Sequence, residues 1–246
     1  MGITEVRNKM KVEVWSDIMC PFCYIGKRNY ESAIKKFADN KDIEIIWKSY
    51  QLDPDIPLQF DKKTNVYQYL ADRKGMTLEH SIKMHQAVVQ TAKNAGLEYN
   101  FDKTVIANSF KAHRMIQMAK RKGLGDFAEE CIFKAYFTEG KDIADNAILL
   151  ELGKAIGISE TDVNESLCND EYAYMVKQDI QQAKNLEVEG VPFFLFNGKY
   201  AVYGAQAVDA FLQTIQKSYA DWRKENPVSE IETLKGQTCS ADGKCD

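Results

Sequence analysis

Apolar positions recur with two different periods along this chain, and the switches between the periods outline its elements. "VEVW" at 12–15 alternates and predicts a strand. Beyond it the spacing lengthens. Tyr30, Ala33, Ile34 and Phe37 fall on one face of a helix that should begin at or just after Cys20. Pro21 suits its first position, where a missing N–H is no loss. "IEIIWKSYQL" at 43–52 is β-branched and aromatic and predicts a second strand. Strand, helix and strand in close succession form a βαβ unit, so the two strands should run parallel.

The far end carries the complementary pattern. "PFFLF" and "KYAVYG" flank Asn197-Gly198, a hairpin signal because both central turn residues need positive φ. A helix follows, with Val208, Phe211, Leu212, Ile215, Tyr219 and Trp222 on one face, completing a ββα unit. Between the two units, residues 60–186 show helical patterns only, at 64–74, 77–95, 103–122, 125–138, 144–156 and 170–185. Gly75, Gly96, Gly123, Gly140 and Gly157 stand near their ends as stop signals. The last stretch, "ENPVSEIETLKGQTCSADGKCD", is polar and is expected to lie outside the packed fold.

A length of 246 residues with 45% hydrophobic and 11% aromatic content allows one domain with a large insertion, or two small domains. The net charge of −4 and the scattered Lys and Arg give no reason to expect a nucleic-acid partner. Lys120-Arg121-Lys122 reads as a solvated helix face. No apolar run reaches signal-peptide or transmembrane length, so a cytoplasmic protein without a membrane partner is expected. In such a compartment thiols stay reduced, and cysteines paired in sequence are more often catalytic, redox-sensing or metal-binding than structural.

Cys20-Pro21-Phe22-Cys23 therefore has three readings: a redox dithiol, half of a zinc site, or two buried thiols. On a helix, residues i and i+3 have Cβ atoms roughly 5–6 Å apart, close enough for a disulfide after modest adjustment. A cysteine at the helix N-terminus has its thiolate favoured by the macrodipole and free N–H groups. That would make Cys20 the reactive sulfur, and a good leaving group when a thiolate attacks the Cys20–Cys23 disulfide. Cys23, one turn further in, would resolve the mixed disulfide. "EGVPFF" at 189–194 puts Val191-Pro192 before the hairpin strand, where a proline is often simply an edge feature.

Taken together, these segments resemble the thioredoxin superfamily, and the helical stretch between the two units resembles its DsbA-like branch. Within it the chain is similar to FrnE-type proteins in "D-x-x-C-P-x-C-Y-I-G-K-R", "A-H-R" at 112–114, "A-Y-F-T-E-G-K-D-I" at 135–143, "G-V-P-F-F", and "G-A-Q" at 204–206. The resemblance spans roughly 11–215. It implies an α/β fold, thioredoxin-like and interrupted by a large all-helical insertion. The thioredoxin-like domain would comprise 11–58 and 187–222, the insertion 59–186, and a tail 223–246. It also implies a cis Pro192 against the dithiol, with Pro21, Phe22 and the Val191 backbone meeting an incoming peptide. The implied activity is exchange, as oxidant, reductant or isomerase, with protein thiols and disulfides. Glutathione or a thioredoxin-type reductant would serve as redox partner, with no cofactor and no metal.

Phe22 stands where DsbA carries a histidine, so a less depressed Cys20 pKa and a less oxidising disulfide are expected. Two rivals remain. A kappa-like glutathione-dependent isomerase or transferase shares the implied fold, although a serine commonly replaces Cys20 there. A non-catalytic thiol redox sensor is the other.

Cys239 and Cys245, in "CSADGKC", match a C-terminal pair of FrnE-type proteins, which implies an auxiliary redox couple; by itself the segment reads equally as an unstructured tail. Cys131 and Cys168 are expected to be buried, inert thiols. His80 and His85 are five apart, off a shared helical face, and argue against a metal site. His113 sits among apolar positions and reads as a core histidine; the resemblance leaves room for Asn108 or His113 to face the dithiol.

Overall fold

A computed structural model describes residues 8–57 and 65–227. Strand β1 (Met10–Ser16) leads through a short turn into helix α1 (Pro21–Lys35), and the chain returns as β2 (Ile43–Ser49). Helices α2 (Val66–Lys74), α3 (Leu78–Asn94), α4 (Phe110–Arg121), α5 (Gly125–Phe137), α6 (Asn146–Ala155), α7 (Glu160–Cys168) and α8 (Asp170–Asn185) follow. Strands β3 (Phe193–Phe196) and β4 (Tyr200–Tyr203) and helix α9 (Val208–Glu225) complete the chain. The fold is thus α/β and thioredoxin-like, with a helical insertion after β2.

The sheet has the order β2-β1-β3-β4. β1 and β2 are parallel, as the intervening helix requires, and β3 runs antiparallel to both β1 and β4. Alternation gives the sheet two apolar faces. Met10, Val12, Val14, Trp47, Phe194, Phe196 and Val202 meet Tyr30 and Ala33 of α1 and Phe211, Ile215, Tyr219 and Trp222 of α9. On the opposite face Trp15 and Phe193 pack with Ala183 of α8 and Val188. The Trp15 indole N–H donates to the Asp179 carbonyl at 2.9 Å, so α8 lies against the sheet.

The hairpin turn is as the sequence predicts. Asn197 and Gly198 have φ of 50° and 63°, and Lys199 N–H donates to Phe196 O at 3.0 Å. Three boundaries differ from expectation. β2 stops at Ser49 rather than running to residue 52, because the Asp17 carboxylate takes the Leu52 N–H at 2.7 Å and turns the chain away. α4 begins at Phe110 rather than 103: Lys103 and Thr104 N–H turn back onto Asn100 O, and the Asn108 side chain accepts from Phe110 N. α7 was not predicted. Its Ser159 cap is good, but Val163 and Ser166 are its only buried residues, too few to set a period. α9 runs to Glu225, three residues past the expected domain end at 222, with Arg223 anchored on Asp42.

The helical layer makes its own core, and that core takes in one end of α1. Ile18, Cys20, Cys23, Tyr24 and Ile25 pack with residues of α3, α4 and α5 such as Ala92, Met115, Phe133 and Phe137. The cysteine pair therefore lies where the helical layer meets the sheet layer.

Candidate active site

The turn that carries Cys20 is built by Asp17. Its carbonyl accepts Cys20 N–H at 2.9 Å, and its carboxylate accepts Met19 N–H at 3.3 Å and Leu52 N–H at 2.7 Å. This leaves Cys20 as N-cap of α1 with an extended backbone, φ −88° and ψ 111°, and Pro21 at the first helical position. No side chain caps the helix and the first turn carries no acidic residue, so the partial positive charge of the helix start is left to the Cys20 sulfur.

Cys20 and Cys23 are both free thiols, 4% and 1% exposed. The Cys20 thiol donates to the Val191 carbonyl at 3.5 Å. Burial pushes the Cys23 thiol well above its ordinary value, and the neighbouring Cys20 sulfur adds to this. The Asp17 N–H and the Ser16 hydroxyl oppose that shift without overcoming it. Both sulfurs are buried but differ in environment: Cys20 caps α1 beside the Val191 carbonyl, and Cys23, one turn further in, has its thiol pKa raised by burial.

The Val191-Pro192 bond is cis. Pro192 O accepts Gly204 N–H at 2.8 Å, fixing the proline to the end of β4. Its ring meets α1 at Gly26, where an added Cβ would lie 3.0 Å from Pro192 Cγ and 3.4 Å from the Phe194 ring. A glycine here permits the approach of helix and proline that brings Val191 to Cys20. Val191 is half-buried and Phe22 is 43% exposed, so an apolar rim surrounds the Cys20 sulfur.

The helical layer braces α1 from the other side. The Tyr99 hydroxyl donates to Pro21 O at 2.7 Å, and Tyr24 stacks on Phe133 with centroids 4.9 Å apart. Lys27, fully buried, pairs with Glu31, with Asp126 at 3.0 Å and with Glu130 at 3.5 Å. Burial works against its charge, but Asp126 and Glu31 outweigh this and raise its pKa. Arg28 pairs with Glu31 and Glu130, and Tyr24 donates to Glu130 at 2.6 Å. Lys27 and Arg28 thus tie α1 to α5 through Asp126 and Glu130.

Sequence reasoning named Cys20, Pro21, Phe22, Cys23, Val191 and Pro192, and the structure brings all six together. Asn108 turns elsewhere: its amide donates to Ile56 O at 2.5 Å and its oxygen accepts from Gln51 and Phe110. His113 is buried against Asp17, with Nε2 3.5 Å from Oδ1. Cys168, expected buried, is exposed, because α7 ends there and its inward positions are Val163 and Ser166. Cys131 is half-buried, and burial raises its thiol pKa. Among the described residues no three His, Cys, Asp or Glu side chains form a metal-binding group. No helix among them is long and apolar enough to cross a membrane. Cys239 and Cys245 lie outside the described residues. The roles of Asp17, Tyr99 and Lys27 were missed, although Asp17 and Lys27 both stand in the D-x-x-C-P-x-C-Y-I-G-K-R stretch.

Residues 11–216 match the model of the DSBA-like thioredoxin domain family. An uncharacterized protein of Bacillus subtilis, YwbO, is 27% identical over 218 residues, covering 87% of this chain and 98% of YwbO. A structure from Streptomyces coelicolor described as a "probable DsbA oxidoreductase" is 28% identical with a TM-score of 0.80, covering 96% of this chain and 98% of its own. The cytosolic disulfide reductase DsbM of Pseudomonas aeruginosa, solved with glutathione, shares the fold at 16% identity and a TM-score of 0.58, over 87% of this chain and 98% of its own.

Proposed function

Because this chain belongs to the DSBA-like thioredoxin domain family, we propose that it is a thiol–disulfide oxidoreductase acting on protein disulfides through Cys20-Pro21-Phe22-Cys23. Family membership and the Streptomyces coelicolor relative support oxidoreductase chemistry in general. The observation that carries the finer reading is the pairing of a helix-capping thiol with one whose pKa burial raises. Cys20 caps α1 beside the Val191 carbonyl, and Cys23 lies one turn deeper with its pKa raised by burial.

In the reducing direction the Cys20 thiolate attacks one sulfur of the substrate disulfide. That S–S bond breaks, the second substrate sulfur leaves as a thiolate and takes up a proton, and Cys20 is left in a mixed disulfide. Cys23 then loses its proton and attacks Cys20 Sγ. The first substrate sulfur leaves in turn, and two electrons have passed from the protein to the substrate. Oxidation of a dithiol runs the same steps in reverse. The Val191 backbone aligns an extended peptide beside Cys20, and Pro21 and Phe22 supply apolar contact.

The sequence features shared with FrnE-type proteins support assignment to that branch, with residues 11–58 and 187–222 as the thioredoxin-like domain, 59–186 as the helical insertion and 223–246 as the tail. The Cys239–Cys245 pair would be its auxiliary couple. Glutathione or a thioredoxin-type reductant is the redox partner, a choice supported by glutathione in the DsbM structure. The cytoplasm, where such reductants abound, is its compartment.

Turnover of insulin disulfides with glutathione tests the reading, together with the Cys20–Cys23 reduction potential against a glutathione buffer. Turnover that requires Cys20 is expected. Activity confined to glutathione conjugation or isomerisation would favour the kappa-like alternative, and stoichiometric oxidation without turnover would favour a sensor.

A further inference from the structure

His113 is a titratable side chain that the exchange mechanism above leaves unused, and its surroundings are unusual for a core residue. It is fully buried on α4, and neither ring nitrogen has a hydrogen-bond partner among the described residues. An unpaired buried donor or acceptor costs about 1–3 kcal/mol, so a leucine would serve a purely packing role better. Its nearest polar neighbour is the Asp17 carboxylate, also fully buried, at 3.5 Å from Nε2. Asp17 in turn holds the Cys20 N–H through its carbonyl, and its own N–H favours the Cys23 thiolate.

We propose that His113 is a positioning residue for the dithiol, acting through Asp17. The imidazole, with Nε2 3.5 Å from Asp17 Oδ1, fixes the carboxylate and with it the turn whose main chain supports both cysteines. The inference rests on the oxidoreductase reading and adds to it a residue from the helical layer. The Asp17 carbonyl holds the Cys20 N–H and its N–H favours the Cys23 thiolate, so a turn that loosens withdraws support from the reduced pair.

The other titratable groups that feel Asp17 cannot take this part. Tyr50 after β2, Tyr69 on α2, and Glu129 and Tyr136 on α5 are all acids, each pushed up chiefly by burial. Among the described residues no lysine or arginine pairs with Asp17, so His113 is the base that reaches it.

The test is the equilibrium of Cys20–Cys23 with glutathione in the native protein, His113→Gln, His113→Leu and Asp17→Asn, and in the Asp17→Asn/His113→Gln double variant. Removing His113 should destabilise the reduced form. The constant should shift about tenfold toward the disulfide, close to 30 mV toward more reducing potentials. Cys20 alkylation should move to higher pH in the same variant. In the Asp17→Asn background the His113 substitution should have no further effect, since the carboxylate that His113 packs against is gone. His113→Gln keeps a polar side chain of similar size and carries the test should His113→Leu fail to fold. A folded His113→Gln protein with native potential and native alkylation profile would overturn the proposal, as would additive effects in the double variant. If instead the native pair fails to exchange with glutathione or protein thiols, the oxidoreductase reading falls. The alkylation profiles then still decide the role of His113.

Discussion

Gly26 on α1 lies against the ring of Pro192, one turn beyond Cys23, and the residue before that proline, Val191, accepts from the Cys20 thiol at 3.5 Å. Gly26→Ala brings two effects into opposition. Alanine gains about 1 kcal/mol of helix propensity over glycine. Its Cβ, 3.0 Å from Pro192 Cγ, adds overpacking of about 1–3 kcal/mol. The net change in stability should be a loss below about 2 kcal/mol, while the rate of disulfide exchange falls roughly tenfold because the proline moves off the dithiol. Urea melts and insulin reduction on the same preparation would separate the two. A variant that loses stability but keeps its rate would show that the contact serves packing alone.

Replacing the sulfurs one at a time should give unlike results. Cys20→Ser removes the helix-capping sulfur and should abolish exchange. Cys23→Ser leaves the attacking sulfur without its resolving partner, so mixed disulfides on Cys20 should accumulate and be visible by mass spectrometry. The Cys23 thiol, its pKa raised by burial, should alkylate only at higher pH than Cys20. Faster alkylation of Cys23 would reverse the assignment.

The elements with strong periodicity were legible in the sequence. Val12 to Trp15, the hairpin around Asn197-Gly198 and the α9 face from Val208 to Trp222 all appear where the pattern puts them. What failed has a common cause, since side chains distant in sequence decide it. β2 ends where Asp17 captures Leu52 N–H, and no local propensity records that bond. α8 reads as one more amphipathic helix, yet Asp179 meets Trp15 and Ser49 across the sheet. Lys27 and Glu129 look like surface residues by type and are fully buried because α1, α4 and α5 enclose their charges together. Periodicity tells which face is inward but not which partner covers it.

Phe22 should be a tuning position. Its ring is exposed at the mouth of the dithiol and offers the Cys20 sulfur neither positive charge nor a strong donor. In Phe22→His an imidazole at this position could donate to the thiolate, and a better stabilised reduced form is a stronger oxidant. One added hydrogen bond to a charged group is worth about 1.5–3 kcal/mol, equivalent to roughly 30–60 mV for a two-electron couple. Equilibration with glutathione buffers would detect this. An unchanged potential in a folded variant would count against Phe22.

Glu129 should give the fold a marked pH dependence. It is 1% exposed on α5, and its Oε2 has no hydrogen-bond partner among the described residues. Burial pushes its carboxyl up to about 8, with Asp126 adding to the shift and Lys27 and Lys120 opposing it. An unfolded glutamate titrates near about 4.3. Between these values the folded protein keeps a proton that the unfolded chain has released. The native state therefore binds more protons, and stability falls as pH rises through this window. The contribution is whole below the unfolded value and is lost by the time the folded value is passed. At about 1.36 kcal/mol per unit, the loss amounts to roughly 3–5 kcal/mol across the window. Glu129→Gln keeps the side-chain shape and removes the ionisation. Its stability relative to the native protein should be close to unchanged near pH 4.5 and higher by several kcal/mol near pH 8.5. Urea melts of both proteins across that range would measure the difference, and a difference independent of pH would mean that Glu129 ionises normally in the folded state.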